Sequence, residues 1–206
     1  HLLGRRQRQM CIRDRNRRIG CSVSGIAQFI TNRGIHELKE WLEAGYDTIQ
    51  EWDNQYSDWF AVPNSIKTTS VKPSGTVSLL AGATPGLHYP ESRFYIRRVR
   101  LSKHSELLEP LKKAGYKIEP AFGSEDTTSV VEVPVDVGEG IRTAGELSIW
   151  EQFNIAAFMQ RHWADNQVSC TVTFNPQTEG EQIPHVLNYF QYHLKGISLL
   201  PRHDYG

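Results

Sequence analysis

A short run of small and hydroxyl-bearing residues at positions 73–78 is the segment best suited to bind an anion. It has the sequence Pro-Ser-Gly-Thr-Val-Ser and follows 65–72, whose β-branched, alternating residues predict a strand. A glycine between small residues lets successive backbone N–H groups point the same way, and a helix starting there offers unpaired donors to an anion. Hydroxyls of Ser74, Thr76 and Ser78 add donors, and Lys72 adds nearby charge. The segment therefore predicts a phosphate-binding turn.

The same residues also fit an ordinary strand-to-helix turn with a Ser or Thr cap. Their spacing matches neither the Walker loop nor the dinucleotide-binding fingerprint. Judged on these residues alone, the ordinary turn is the favoured interpretation.

Other polar side chains give weaker indications of chemistry. Four arginines lie between positions 93 and 100 in a predicted strand, where they could bind phosphate, although a solvated or ion-paired face is the favoured interpretation. His88 is a lone histidine after a turn, and Arg161 and His162 suit the end of a helix, where the dipole favours cations. No metal site and no catalytic triad is predicted.

The three cysteines, Cys11, Cys21 and Cys170, are too far apart to indicate a disulfide framework or a zinc site. We expect Cys21 to lie in a helix and Cys170 in a strand, both as small, buried and inert residues.

The apolar periodicity predicts an α/β fold. Predicted helices cover about 19–33, 35–56, 77–83, 105–114, 148–163 and 181–194. Predicted strands cover about 65–72, 94–101, 130–135, 168–174 and 197–200. From Ser129 onward strands and helices alternate, which predicts parallel strands joined by crossover helices in a sheet or barrel.

Several motifs follow one another in a characteristic order. They are Asn16–Gly20, Ser65–Lys67, Val71–Gly82, Thr84–Gly86, Tyr95–Arg98, Arg161–Ser169 and Lys195–Pro201. Together they resemble the C-terminal half of the catalytic barrel of adenosylcobalamin-dependent (class II) ribonucleotide reductases. Each motif alone is modest, but their joint order makes the resemblance specific over about residues 16–202.

This resemblance implies a fold, a reaction and a site. The fold is the C-terminal half of a ten-stranded α/β barrel, of which this chain is a fragment. The reaction is the thiyl-radical reduction of ribonucleoside triphosphates to 2′-deoxyribonucleotides for DNA synthesis, with adenosylcobalamin as cofactor. The substrate phosphates would be bound by the family's hydroxyl-rich turn, which corresponds here to Ser74, Gly75, Thr76, Val77 and Ser78.

The resemblance also implies partners for the full-length enzyme and a lack of activity in this chain alone. A nucleotide effector and thioredoxin, as reductant, would act on the full-length enzyme, which we expect to be cytoplasmic. The radical and redox cysteines of the family have no counterpart in this chain. We therefore expect no catalytic residue within the chain and no activity from it alone.

Composition restricts the remaining possibilities. The chain has 206 residues, of which 39% are hydrophobic and 22% charged, as in ordinary globular proteins, and it lacks a run of apolar residues typical of a membrane span. Residues 1–18 hold seven arginines and one acidic residue. We interpret 1–15 as a non-native or disordered leader and 16–206 as the part belonging to the barrel.

Three alternatives remain open at this point. One is a diphosphate-reducing class II enzyme, and another is an unrelated phosphosugar-binding α/β barrel enzyme. The third is a non-enzymatic nucleic-acid module that uses the basic start of the chain. Because the rest of the chain is acidic overall, we expect no direct contact with nucleic acid.

Overall fold

The computed structural model describes residues 17–75 and 77–202. The predicted leader at 1–15 and the predicted site residue Thr76 therefore lie outside the described residues. Among the helices within the described ranges, none combines the length and apolarity needed to cross a membrane.

The elements alternate between helix and strand for most of the chain. The helices are α1 (Ile26–Arg33), α2 (Ile35–Phe60), α3 (Val77–Leu80), α4 (Leu108–Lys113), α5 (Ile149–His162), α6 (Pro176–Glu179) and α7 (Ile183–Phe190). The strands are β1 (Arg18–Ser22), β2 (Lys67–Ser70), β3 (Phe94–Ser102), β4 (Lys117–Pro120), β5 (Thr128–Asp136), β6 (Thr171–Phe174) and β7 (Ser198–Pro201). The predicted mixture of helices and strands is confirmed.

Four strands run parallel. β1 pairs with β2, and β6 pairs with β7, each pair in parallel. A parallel bridge between Val71 and Val168 joins the two pairs, and the N–H of Ser169 donates to the carbonyl of Val71 at 2.8 Å. The spatial order is thus β1, β2, β6, β7, with helices in every crossover, as the sequence predicts for β6 and β7.

Helix α5 anchors the parallel strands to the core. Its apolar residues recur at helical spacing, and Ile149, Phe153, Ala156 and Met159 are all buried. The side chain of Gln152 both accepts from the N–H of Thr173 at 3.0 Å and donates to its carbonyl at 2.8 Å. Because this amide satisfies both backbone groups, it fixes β6 against α5.

An antiparallel sheet with the order β3-β5-β4 is inserted between β2 and β6. The strands that alternate with helices from Ser129 onward were expected to be parallel, and for β5 that expectation is wrong. β5 pairs antiparallel with both neighbours. Only residues 121–127 separate β4 from β5, and a parallel crossover needs a dozen or more residues.

The start of the described chain also differs from prediction. Residues Arg18–Ser22 form β1, whereas the spacing of Ile19 and Val23 predicted a helix. Gly25 adopts φ 74° at the N-terminus of α1, a left-handed conformation that interrupts any helix running through it. Cys21 consequently lies in a strand and is exposed, so the expectation of a buried helical cysteine is wrong there.

Two helices differ from prediction in detail. Helix α2 buries Leu38 and Leu42 and runs to Phe60, beyond its predicted end at about 56. The helix predicted over 181–194 is shorter, since α7 covers Ile183–Phe190. Both differences concern helix ends, where periodicity alone is least decisive.

Candidate functional site

The predicted phosphate-binding turn lies where β2 ends, beside the end of β1. The N–H of Lys72 donates to the Ser22 hydroxyl at 2.9 Å, and the hydroxyls of Ser24 and Ser74 are 2.6 Å apart. The end of β1 therefore holds the turn in place. Carboxyl ends of parallel strands are where open α/β sheets commonly bind ligands.

Internal hydrogen bonds define the shape of the turn. Ser74 has φ 31°, and its carbonyl accepts from the N–H of Ser78 at 3.1 Å and from the Ser78 hydroxyl at 2.5 Å. The chain then enters α3 at Val77. The Ser78 hydroxyl is thus used to close the turn.

The predicted site residues occupy different environments. Gly75 lines a cavity, while Ser74 is half-buried next to Ser24. Ser78 is buried, but Val77 is 71% exposed. The helix predicted over 77–83 ends at Leu80.

The cavity in front of the turn has a volume of about 630 Å³, which is in the usual range for small-molecule sites. The turn, the loop after Gly86, one face of β3 and the start of β6 form its walls. Residues that bear on its chemistry are Gly75, His88, Tyr95, Arg97, Cys170 and Thr171.

Arg97 reaches this cavity from the antiparallel sheet and lies against the turn. A Cβ atom on Gly75 would collide with Nη2 of Arg97 and would lie 3.5 Å from its guanidinium carbon. The turn thus brings its glycine next to a cation at the cavity wall. Residue types alone did not single out Arg97 from its neighbours, although strand alternation places it on the same face as Tyr95.

Two of the neighbouring arginines form ion pairs, in agreement with the interpretation favoured from the sequence. Arg98 contacts Glu119 and lies 3.8 Å from Glu132. Arg93 pairs with Asp136 at 3.2 Å. These ion pairs confirm the prediction for Arg93 and Arg98.

His88 connects the loop after Gly86 to β6. The N–H of Thr171 lies 3.2 Å from Nε2 of His88, and Nδ1 lies 3.3 Å from the Pro85 carbonyl. This geometry fits a neutral ring that carries its proton on Nδ1. Burial lowers the pKa of His88, although the Pro85 carbonyl acts in the opposite direction.

Comparison with known proteins identifies relatives of the chain. No protein-family model matches it. It is 62% identical over 192 residues to an adenosylcobalamin-dependent ribonucleoside-triphosphate reductase of Euglena gracilis, covering 93% of this chain and 26% of that protein. A protein of the same name from Levilactobacillus brevis is 38% identical over 216 residues, covering 91% of the chain and 29% of the relative.

A solved structure agrees with these relatives. The crystal structure of a B12-dependent (class II) ribonucleotide reductase superimposes with a TM-score of 0.78 at 35% identity, covering 95% of this chain and 31% of the other. The chain is thus similar to a segment of the adenosylcobalamin-dependent ribonucleotide reductases. It spans about a quarter of the length of its Euglena relative.

One cysteine, Cys170, lies at the wall of the cavity. Cys170 is 7% exposed, and burial raises the pKa of its thiol to about 12. The predicted burial of Cys170 is confirmed, but the residue lies directly before β6 and not in a strand. Since the thiolate is the reactive form, we expect its thiol to react slowly near neutral pH.

Proposed function

We propose that this chain is part of an adenosylcobalamin-dependent enzyme that reduces ribonucleoside triphosphates to 2′-deoxyribonucleotides for DNA synthesis. The 62% identity over 93% of the chain to a reductase of that name carries the proposal. The same names favour a triphosphate substrate over the diphosphate alternative. In the full-length enzyme, thioredoxin would act as reductant, a second nucleotide would act as effector, and the location would be the cytoplasm.

The parallel strands would form part of a larger closed barrel. We propose that β1, β2, β6 and β7 belong to the C-terminal half of a ten-stranded α/β barrel, with residues 16–206 as its contribution from this chain. Their shared direction, their spatial order and the TM-score of 0.78 to a class II reductase support this.

The turn Ser74, Gly75, Thr76, Val77 and Ser78 would bind the substrate phosphates. Its place at the carboxyl end of β2, its contact with the cavity and the guanidinium beside Gly75 support this role. The hydroxyls of Ser74 and Ser78 are engaged with Ser24 and with the Ser74 carbonyl. We therefore assign these two hydroxyls to shaping the turn, which leaves phosphate binding to its backbone N–H groups.

The described residues fit a nucleotide better than they fit the cofactor. A cavity of about 630 Å³ beside an arginine suits a ligand of nucleotide size with negative charge. Adenosylcobalamin supplies a radical by homolysis of its cobalt–carbon bond when it is bound. We assign none of the described residues to holding it, because the cavity is small for a corrinoid.

Expression of the full-length gene tests the proposed reaction. We expect conversion of ribonucleoside triphosphates to deoxyribonucleotides that requires added adenosylcobalamin and a dithiol reductant. Reduction of diphosphates alone would overturn the triphosphate assignment. The absence of any nucleotide reduction by a folded, cofactor-supplied enzyme would overturn the proposed function.

A substitution at Gly75 tests the phosphate site separately. In the full-length enzyme, Gly75→Leu should raise the KM for the triphosphate by about tenfold or more, because one charge-assisted hydrogen bond contributes about 1.5–3 kcal/mol. Gly180→Leu is the control, since a Cβ at Gly180 has no atom within 4 Å. An unchanged KM in Gly75→Leu would contradict the placement of the phosphates.

A further inference from the structure

We propose that Arg97 is a direct cationic ligand of the substrate phosphates, reaching the turn from the inserted antiparallel sheet. This inference rests on the proposed function of the turn at 74–78 and adds a residue from a different substructure. It assigns to β3 a part in substrate binding that the motifs of the turn do not indicate.

The alternation of β3 directs Arg97 inward. Tyr95, Arg97, Val99 and Leu101 are half-buried along one face, while the residues between them are exposed. Tyr95 and Arg97 both line the cavity. The guanidinium is therefore held on the cavity side of the sheet by the register of β3 with β5, in which Arg97 lies opposite Val133.

The contact with Gly75 sets the position of the charge. A Cβ at residue 75 would overlap Nη2 of Arg97, so the guanidinium lies directly over the glycine. Any phosphate held by the backbone of this turn would lie within reach of the same guanidinium. A planar fork of N–H donors matches two phosphate oxygens at once.

The charge balance around Arg97 also points to an anionic ligand. Arg93 and Arg98 each have carboxylate partners, but Arg97 has none within ion-pairing distance among residues 17–75 and 77–202. Glu91 also lines the cavity and forms no ion pair with Arg97 in that part of the chain. A half-buried cation facing a ligand-sized cavity is compensated when an anion binds there.

Nucleotide binding would consequently join two substructures. The turn belongs to the parallel strands, and Arg97 belongs to the β3-β5-β4 sheet. A phosphate bound between them would link these two parts of the chain. Phosphate charge would then contribute to holding the inserted sheet in place.

The experiment compares substrates of different charge on the full-length enzyme. We expect Arg97→Gln to raise the KM for the triphosphate by about tenfold or more. Inhibition constants of the mono-, di- and triphosphate should rise by factors that grow with phosphate charge, whereas that of the nucleoside should change less than about twofold. Arg97→Lys should fall between wild type and Arg97→Gln, since it keeps the charge but loses the fork.

The control is Arg100→Gln, which removes an arginine from the exposed face of the same strand. It should leave the KM within about twofold of wild type. An equal loss for nucleoside and triphosphate in Arg97→Gln would show a structural role and overturn the inference. Equal effects of the Arg97 and Arg100 substitutions would also overturn it, because they would indicate a general surface-charge effect.

The Gly75→Leu variant separates this inference from the proposed function. If Gly75→Leu raises the KM and Arg97→Gln does not, the turn binds phosphate without Arg97, and the inference fails alone. If neither variant changes the KM of an active reductase, the phosphates bind elsewhere and both assignments fail. Thermal unfolding of each variant, compared with wild type, identifies any loss that comes from misfolding.

Discussion

Gly86 packs directly against the main-chain carbonyl of Lys72. A Cβ on Gly86 would lie 2.5 Å from that oxygen, and Gly86 has φ 53°. Both the close approach and the left-handed backbone require glycine at this position. The contact fixes the loop after α3 against the residue that leads into the turn.

Replacement of Gly86 by alanine should therefore destabilise the protein and weaken substrate binding. We expect a loss of about 2 kcal/mol or more in the free energy of unfolding, because strain and a backbone collision add together. The KM for the triphosphate should also rise, since the Lys72 carbonyl must move. Thermal unfolding and steady-state kinetics of the full-length enzyme measure the two effects.

Gly115→Ala provides the matched control for this prediction. Gly115 has φ 84° but no atom within 4 Å of a built Cβ, so it shares the backbone penalty, about 1 kcal/mol, without the collision. Equal destabilisation by the two substitutions would mean that the Lys72 contact contributes nothing.

The buried imidazole of His88 should make stability depend on pH. Because burial lowers its pKa in the folded state, the unfolded chain binds the proton more readily. The stabilisation is complete above the unfolded value of about 6.5 and is lost as the pH falls below it towards the folded pKa. Unfolding midpoints measured from about pH 8 down to about pH 5 should therefore decrease.

His88→Gln should flatten this dependence. A glutamine amide can still accept from Thr171 and donate to Pro85, but it does not titrate in this range. His36→Gln, at an exposed position, should leave the wild-type slope intact. If His88→Gln has the wild-type slope, another group titrates in this range and the assignment to His88 is wrong.

The parts of the fold that sequence predicted are those governed by local spacing. Helix α5 was predicted from its apolar period, and β2 from its β-branched residues; both signals lie within the element itself. β1 was mistaken for helix because Ile19 and Val23 continue the spacing of α1. Its strand conformation depends on pairing with β2, more than 40 residues away.

In the candidate site too, local features were predicted and non-local contacts were not. Small and hydroxyl residues indicated the turn, because the backbone conformation depends on the residues of the turn itself. The adjacency of Arg97 to Gly75 depends on how the inserted sheet packs against the parallel strands, and no local pattern carries that information. β5 was assigned to the wrong type of pairing for the same reason, since strand partners are non-local.

A capping box closes the N-terminus of α5. The Ser148 hydroxyl accepts from the N–H of Glu151 at 3.2 Å, and the Glu151 carboxylate accepts from the N–H of Ser148 at 2.9 Å. Ser148→Ala should cost about 1 kcal/mol. Hydrogen exchange should accelerate for the amides of the first turn of α5.

The same cap should weaken in acid. Arg142 first and the Ser148 N–H second lower the pKa of Glu151 to about 2. Its contribution is therefore present above the ordinary glutamate value and is lost as the pH falls through about 4.5 towards 2. Glu151→Gln should remove this part of the acid dependence, whereas Glu181→Gln, at an exposed carboxylate, should not. Identical acid profiles for both variants would contradict the lowered pKa of Glu151.

Alkylation rates should distinguish the two cysteines that the structure describes. Cys170 is buried with its pKa raised to about 12, while Cys21 is exposed. At about pH 8, a thiol of pKa 12 is about one part in ten thousand thiolate, and burial also restricts access. Iodoacetamide should therefore label the peptide containing Cys21 at least about a hundredfold faster than the peptide containing Cys170 in the native full-length enzyme.

Peptide mass spectrometry of partially labelled enzyme measures both rates in one sample, and unfolding in urea should make them similar. Rapid native labelling of Cys170 would show that its thiol is accessible and ionised at the wall of the cavity, and would contradict its assignment as a buried, unreactive residue.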